Sequence, residues 1–406
     1  MDDGELEFLI ECWASNSAIN NMIPMFTDHS FIPIYLDANA TTVQLPEVIA
    51  AVSTAAALGP ANASSAHSAG DRAREIVLNT REVLREVLSA DDEGGILFVS
   101  GGTEANNIVV NGFGKLPKAL MLCSATEHAS VVETVLSNRG QLIPVDANGV
   151  LDTSALHAEL QAAGGRTVLV SVQAANSETG VIQPLSKIIS ICRGAPAEVY
   201  LHVDAAQAFG RMPIVIDGID ALTASGHKFH APLGSGFLYL SDRLADILPR
   251  TVLGGGQERG FRSGTVNFPA IAGLKVAVEM RFFDLPMNIK RMKQARDAFE
   301  ARVLELVSAA KVIGADVERL PNTSNIMFPG QEAMALMAQL DATGVICSNG
   351  SACSSMKPSA SPVLRAMGLS ERDALACLRF SFSVLNTPTE ALTAAEIVAA
   401  TVSVPE

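Results

Sequence analysis

The stretch ASGHKFHAPLGSG, residues 224–236, places a lysine beside two imidazoles directly after an apolar run. That run, DALTAS (220–225), reads as a strand, and the glycine-rich return leads into a second, GFLYL (236–240). A lysine at the end of a buried strand is not a solvated surface charge. Its ammonium is desolvated, its pKa falls, and the neutral amine becomes a nucleophile able to form an imine. Lys228 therefore directs attention to the ends of the other strands.

Working outward, further apolar runs appear at ILFVS (96–100), KALMLC (118–123), TVLVSV (167–172) and VYLHV (199–203). Buried parallel strands read as continuous apolar runs, and alternation with helical patterns indicates an α/β architecture. SAGDRAREIVLNTREVLREVL (68–88) is such a helix, apolar on one face and charged on the other. After Phe283 the texture changes to the charged, helix-favouring NIKRMKQARDAFEARVLELVSAAK (288–311), followed by shorter strand candidates and helices. This reads as a second, smaller α+β domain.

The 406 residues exceed one ordinary domain, and 48% apolar with 18% charged residues describes a soluble protein with ample core. A net charge of −14 argues against a nucleic-acid backbone binder. The six cysteines, Cys12, Cys123, Cys192, Cys347, Cys353 and Cys377, contain no CxxC pair and fit reduced thiols. MDDGELEFLIECW opens on acidic residues, unlike a signal peptide, and the Ala-rich stretch near residue 50 is broken by Gly59 and Pro60. The expectation is a cytoplasmic protein with no membrane segment, no bound metal and no direct nucleic-acid partner.

In open α/β sheets ligands bind at the carboxyl ends of the strands. VSGGTEANN (99–107) runs from a strand through Gly101, Gly102 and Thr103 into a helix, an arrangement suited to a phosphate. His128 in ATEHASV (125–131) and Asn176 in VQAANSETG (172–180) also follow strands. Asp204 in HVDAAQAFG (202–210) is a carboxylate at the end of a buried run, costly without a positive partner, and Gln207 follows it. Taken singly, each has an ordinary structural explanation: a turn, a satisfied histidine, a turn-forming asparagine. Together they form a phosphate cradle, a stacking imidazole, a carboxylate for a pyridinium proton and a lysine for a Schiff base. That is the protein's side of pyridoxal 5′-phosphate chemistry.

At these residues the sequence resembles the cysteine desulfurases of the NifS/IscS type, which are fold type I class V aminotransferase-like enzymes. The resemblance spans about residues 33 to 390. It includes IYLDANATT (34–42), GGTEANN, TEHASV, ANSETG, HVDAAQAFG, SGHKFHAPLGSGFLYL, LGGGQERGFRSGT (253–265), LPNTSNIMF (320–328), SNGSACSS and RFSFSVLNT (379–387). It implies an aspartate-aminotransferase-like large domain (45–285) with a mainly parallel seven-stranded sheet. A small α+β domain (31–44 with 286–406) would carry the catalytic cysteine loop, leaving residues 1–30 as an unassigned extension.

The same resemblance implies that Lys228 holds the cofactor as a Schiff base and later shuttles the proton. Asp204 pairs with the ring nitrogen, His128 stacks on the ring, and Gln207 and Asn176 address its hydroxyl side. Gly102, Thr103, Ser225 and His227 bind the phosphate, and Thr265 reaches the phosphate of the other subunit of a homodimer. Arg379 holds the substrate carboxylate with its planar fork, assisted by Asn39 and Asn176. Cys353, as thiolate, takes sulfur from L-cysteine, leaves L-alanine, and passes a persulfide from a mobile Ser/Gly/Pro loop to an acceptor protein. That acceptor could belong to iron–sulfur cluster assembly, tRNA thiolation or DNA modification. The alternative is a cysteine or selenocysteine lyase, or an aminotransferase, in which Cys353 is incidental.

This chain departs from the family pattern at Asn349, Ala174, Val384 and Leu385. Cys347 also stands where a small non-thiol residue is usual, and its expected state is inert. The remaining cysteines read as small apolar residues.

Overall fold

Helices cover both faces of a parallel sheet, so its strands are buried on both sides. In the computed structural model, which describes residues 33–90, 95–350 and 359–402, the runs Ile96–Val99, Leu120–Ser124 and Val168–Gln173 are buried at every position. The strands in chain order are β1 (Ile34–Tyr35), β2 (Ile96–Val99), β3 (Ala119–Ser124), β4 (Gln141–Ile143), β5 (Thr167–Gln173) and β6 (Glu198–Asp204). They continue with β7 (Ala221–Ser225), β8 (Gly236–Leu240), β9 (Lys311–Val312), β10 (Thr323–Met327), β11 (Val345–Ile346) and β12 (Cys377–Ser381).

Strands β2 to β8 form one seven-stranded sheet in the order β2-β8-β7-β6-β5-β3-β4. Only β8 runs against its neighbours, and every other pairing is parallel. The mainly parallel α/β sheet expected from the sequence is therefore present. One of its strands, β4, had no signal among the apolar runs. It is a three-residue edge strand in which only Ile143 is buried.

One face of the sheet packs against helices Pro46–Ala56, Ser68–Leu88 and Phe268–Phe283 through Val48, Val77, Leu84, Leu274 and Val278. The other packs against Gly102–Phe113, Ala129–Ser137 and Asp242–Ile247 through Ile108, Val131, Val135 and Leu244. The apolar spacing of residues 68–88 yields a helix over that whole span, stopped by Ser89 in a left-handed conformation (φ 51°).

Asp284 ends the Phe268–Phe283 helix and caps the next, Leu285–Leu306, accepting a hydrogen bond from Met287 N at 3.2 Å. A second core begins there. The antiparallel sheet β12-β10-β9 and the parallel pair β1-β11 enclose Phe299, Phe380, Phe382, Leu336 and Val398. The Phe299 and Phe380 rings lie 4.7 Å apart. β1 belongs to this core, but the chain leaving it crosses to the large sheet. Leu36 N donates to Ile346 O, Ala38 N to Ser381 O and Thr42 N to His227 O. Segment 36–42 thus joins the two cores at the ends of the large strands. Among the described residues no helix is long and apolar enough to cross a membrane.

Candidate active site

Because β8 is antiparallel to both β2 and β7, the carboxyl ends of β2, β3, β5, β6 and β7 open on one edge. The first signal lies after β2. Gly101 opens the helix Gly102–Phe113 with no side-chain cap, so the first-turn N–H groups face outward. Gly102 sits over Thr223, Ala206 and Ser225, and a methyl group there would meet all three at 3.6–3.8 Å. Thr103 is exposed, and the buried Ser225 lies against Gly101 and Gly102. Glu104 holds the turn by accepting from Ser100 N (2.5 Å) and Arg262 Nε (3.0 Å).

Asp204 ends β6, where a buried carboxylate needs donors. Ala206 N donates to Oδ1 at 2.9 Å and Asn106 Nδ2 to Oδ2 at 2.8 Å. Asn106 Nδ2 also donates to Ser130 Oγ (2.9 Å), which lies 2.8 Å from Nδ1 of His128. His128 caps the helix Ala129–Ser137 through that same nitrogen, accepting from Ser130 N, while its ring is exposed. A hydrogen-bonded chain therefore connects the imidazole to the buried carboxylate. Asn106 and Ser130 were not anticipated, although both lie inside the quoted motifs.

Lys228 follows β7 in a single 3₁₀ turn (Gly226–Lys228). Its Nζ donates to the carbonyls of Asn39 (2.6 Å) and Ala40 (2.8 Å). Burial, and then the positive Arg379 and Arg211, push its pKa down to about 7, against the pull of Asp37 and Asp204. His227 lies 3.2 Å from Thr41 Oγ1, and burial with the Lys228 charge pushes it down to about 4. Arg211, also unanticipated, fixes the lysine's backbone by donating to Lys228 O at 2.9 Å and Ala38 O at 3.0 Å. It further binds Gln207, whose Nε2 donates to Asn39 O at 3.1 Å.

Arg379, in the centre of β12, donates to Asp37 Oδ1 (2.7 Å) and Ser177 O (3.2 Å). Among the described residues its buried Nε has no partner. Lys228 and Arg379 thus meet on the same short segment, Asp37–Ala40. Asn176 is buried and shapes its turn: Oδ1 accepts from Glu178 N and Thr179 N, both at 2.9 Å, and Nδ2 donates to Thr126 O. Asn39 is buried on the segment that faces Lys228. Its Nδ2 donates to Ser177 O and Thr323 Oγ1, and its Oδ1 accepts from Arg211 and Asn322. Both ends of the amide are engaged inside the protein.

Thr265 is exposed on the loop before the helix Phe268–Phe283. Cys353, with residues 351–358 of the loop expected to be mobile, and the extension 1–30 with Cys12 lie outside the described residues. Cys347 is a free thiol packed in the second core, and burial pushes its pKa up to about 12. Cys123, Cys192 and Cys377 are likewise free and buried, with thiols shifted upward by burial. Among the described residues no group of three or more His, Cys, Asp or Glu is arranged to hold a metal ion.

The sequence profile described as aminotransferase class-V matches residues 34–392. The chain belongs to the class-V aminotransferase family. It is 38% identical to a cysteine desulfurase of Sinorhizobium fredii over 364 residues, 87% of this chain and 92% of that protein. A solved NifS-like protein from Rickettsia africae is similar with a TM-score of 0.83 at 30% identity, covering 92% of this chain and all 100% of that one. The structure of SspA in complex with cysteine is similar with a TM-score of 0.75 at 28% identity, covering 86% and 99%.

As a member of the class-V aminotransferase family, the chain has donors and acceptors that fit pyridoxal phosphate. The uncapped helix start with Thr103 and Ser225 suits a phosphate dianion. Asp204 has two donors on its two oxygens, which leaves acceptor capacity for a protonated ring nitrogen. The amine of Lys228 lies in the same site with its pKa already lowered.

Proposed function

We propose that this member of the class-V aminotransferase family is a cysteine desulfurase that uses pyridoxal phosphate. It converts L-cysteine to L-alanine and carries the sulfur as a persulfide on Cys353. The observation that supports this most is the meeting of Lys228 and Arg379 on segment 37–40, with Asp204 buried at the adjoining strand end. Gly102, Thr103, Ser225 and His227 hold the phosphate, Asp204 the ring nitrogen, and Asn176 and Gln207 the ring's hydroxyl side. His128 packs on the ring, its orientation fixed through Ser130 and Asn106. When bound, the cofactor supplies an electron sink for the pair left at the substrate Cα.

Each remaining task belongs to a residue of the chain. Arg379 binds the substrate carboxylate with its planar fork, replacing contacts now made to Asp37 and Ser177. Lys228 Nζ would take the proton from the substrate Cα. An amine with a pKa near 7 accepts and returns a proton at neutral pH. Asn39 positions rather than binds, holding the carbonyl that faces Lys228. The Cys353 thiolate forms a bond to the substrate sulfur while the sulfur–Cβ bond breaks, its electron pair remaining on carbon. Protonation at Cβ and Cα completes alanine, so the step needs no external oxidant. Thr265 completes the phosphate site of the other subunit in a homodimer. The persulfide then passes to an acceptor protein in the cytoplasm.

Holoprotein given L-cysteine and a dithiol should release alanine and sulfide in equal amounts. Pyruvate and ammonia in place of alanine would replace this reading with a lyase.

A further inference from the structure

Glu178, in the ANSETG turn, is a carboxylate that the chemistry above leaves unused. It is 6% exposed, and an unpartnered carboxylate at that depth would be costly. Its backbone belongs to the substrate side of the site. Glu178 N donates to Asn176 Oδ1, and the preceding Ser177 O accepts from both Arg379 and Asn39. Its side chain points the other way. Oε2 accepts the Ser361 hydroxyl at 2.6 Å, a short charge-assisted bond, and Ser361 caps the helix Pro362–Ala366. Gly350 lies against the same oxygen: a methyl group added there would fall 2.8 Å from Oε2 and 3.1 Å from Cδ. Gly350 itself has φ +85°, and its N–H donates to Ser348 Oγ. Ser348 exchanges backbone hydrogen bonds with Arg379 in both directions, at 3.1 and 2.6 Å.

Gly350 and Ser361 stand on either side of Cys353 in the chain. We propose that Glu178 is a positioning residue whose carboxylate binds Ser361 on one flank of the Cys353-bearing segment and packs against Gly350 on the other, beside the strand that carries Arg379. Ser361 bonded to that oxygen and Gly350 packed against it fix where the segment leaves and re-enters the described fold. The same turn that engages Arg379 and Asn176 therefore also anchors the ends of that segment. The burial that pushes the Glu178 carboxyl upward is opposed by the Ser361 hydroxyl and the charge of Arg379. This role rests on the desulfurase reading only for the reaction that Cys353 serves.

Three variants of the holoprotein, Glu178→Ala, Glu178→Gln and Ser361→Ala, test it with three readouts. These are kcat for alanine formation, the L-cysteine dissociation constant from the cofactor absorption change, and the rate of iodoacetamide labelling at Cys353 by peptide mass spectrometry. Glu178→Ala should lower kcat about 100-fold through misplacement of the thiol. Its L-cysteine affinity should stay within about threefold of wild type, while labelling of Cys353 shifts by more than that. Glu178→Gln should stay within about threefold of wild-type kcat, because its amide oxygen accepts the same hydroxyl. Ser361→Ala should follow Glu178→Ala in direction, and the double variant should be no worse than Glu178→Ala alone. Wild-type kcat and labelling in Glu178→Ala overturn the proposal, as does a parallel fall of kcat and L-cysteine affinity in all three variants. If Glu178→Ala does not fold, wild-type labelling in Ser361→Ala overturns it instead. If wild type makes no alanine from L-cysteine, the desulfurase reading falls, and the labelling comparison alone decides the anchor.

Discussion

Lys228 is pressed toward its neutral form by burial and by two neighbouring guanidinium groups, while two backbone carbonyls orient its amine. Below a pKa of about 7 the amine is protonated and not nucleophilic; above it the neutral form dominates. Capture of pyridoxal phosphate by the cofactor-free protein should therefore rise with pH through a midpoint near 7, read as growth of the visible absorption band. A midpoint near the ordinary lysine value of about 10.4 would contradict the assignment. Lys228 and Asp204 were legible in the sequence because a charge at the end of an apolar run breaks the burial rule. Asn106 and Arg211 were not. Asn106 stands 98 residues from Asp204, and only the packing of the Gly102–Phe113 helix on β6 and β7 brings the two together. Arg211 in sequence is one more arginine after a glycine; its partners at residues 38, 39 and 228 are supplied by the fold.

The elements were readable where they are buried on both faces and obscure where they are not. Six of the seven large-sheet strands appeared as apolar runs, whereas β4, at the edge with two exposed residues, carries no such pattern. β1, β9 and β11 span two residues each, too short to show a period, and their pairing is set by the second core. The glycine-rich return after Lys228 has a specific element-level role. At the start of β8, Gly236 faces Ser225 on one side and Val99 on the other. A methyl group there would fall 2.6 Å from Ala224 O and 3.0 Å from Gly101 Cα. Both neighbours are backbone and cannot turn aside as a side chain would. Gly236→Ala should thus cost about 1–3 kcal/mol in denaturant unfolding, and it should loosen phosphate retention because the contact is to the cradle itself. An unfolding midpoint equal to wild type would show that this approach is not tight.

At the scale of the whole molecule, two cores share one site through segment 36–42, and Thr265 stands exposed on the loop before the Phe268–Phe283 helix. If Thr265 completes the neighbouring subunit's phosphate site, mixing Lys228→Ala and Thr265→Ala chains regenerates one intact site per mixed dimer. The mixture should then be more active than either parent, whereas activity no higher than the parents would place Thr265 in its own subunit's site. The resemblance to the desulfurases implied a pairing of this kind through RSGT, and a single chain carries no geometry for it. The central claim is that Cys353 is the sulfur acceptor on an enzyme whose other parts only bind and activate L-cysteine. It is tested most directly by Cys353→Ala holoprotein given L-cysteine, with the cofactor spectrum, alanine and sulfide followed together. The account predicts that the variant still binds L-cysteine and changes its absorption, while alanine and sulfide formation fall by about 1000-fold or more. Alanine and sulfide at the wild-type rate would contradict it.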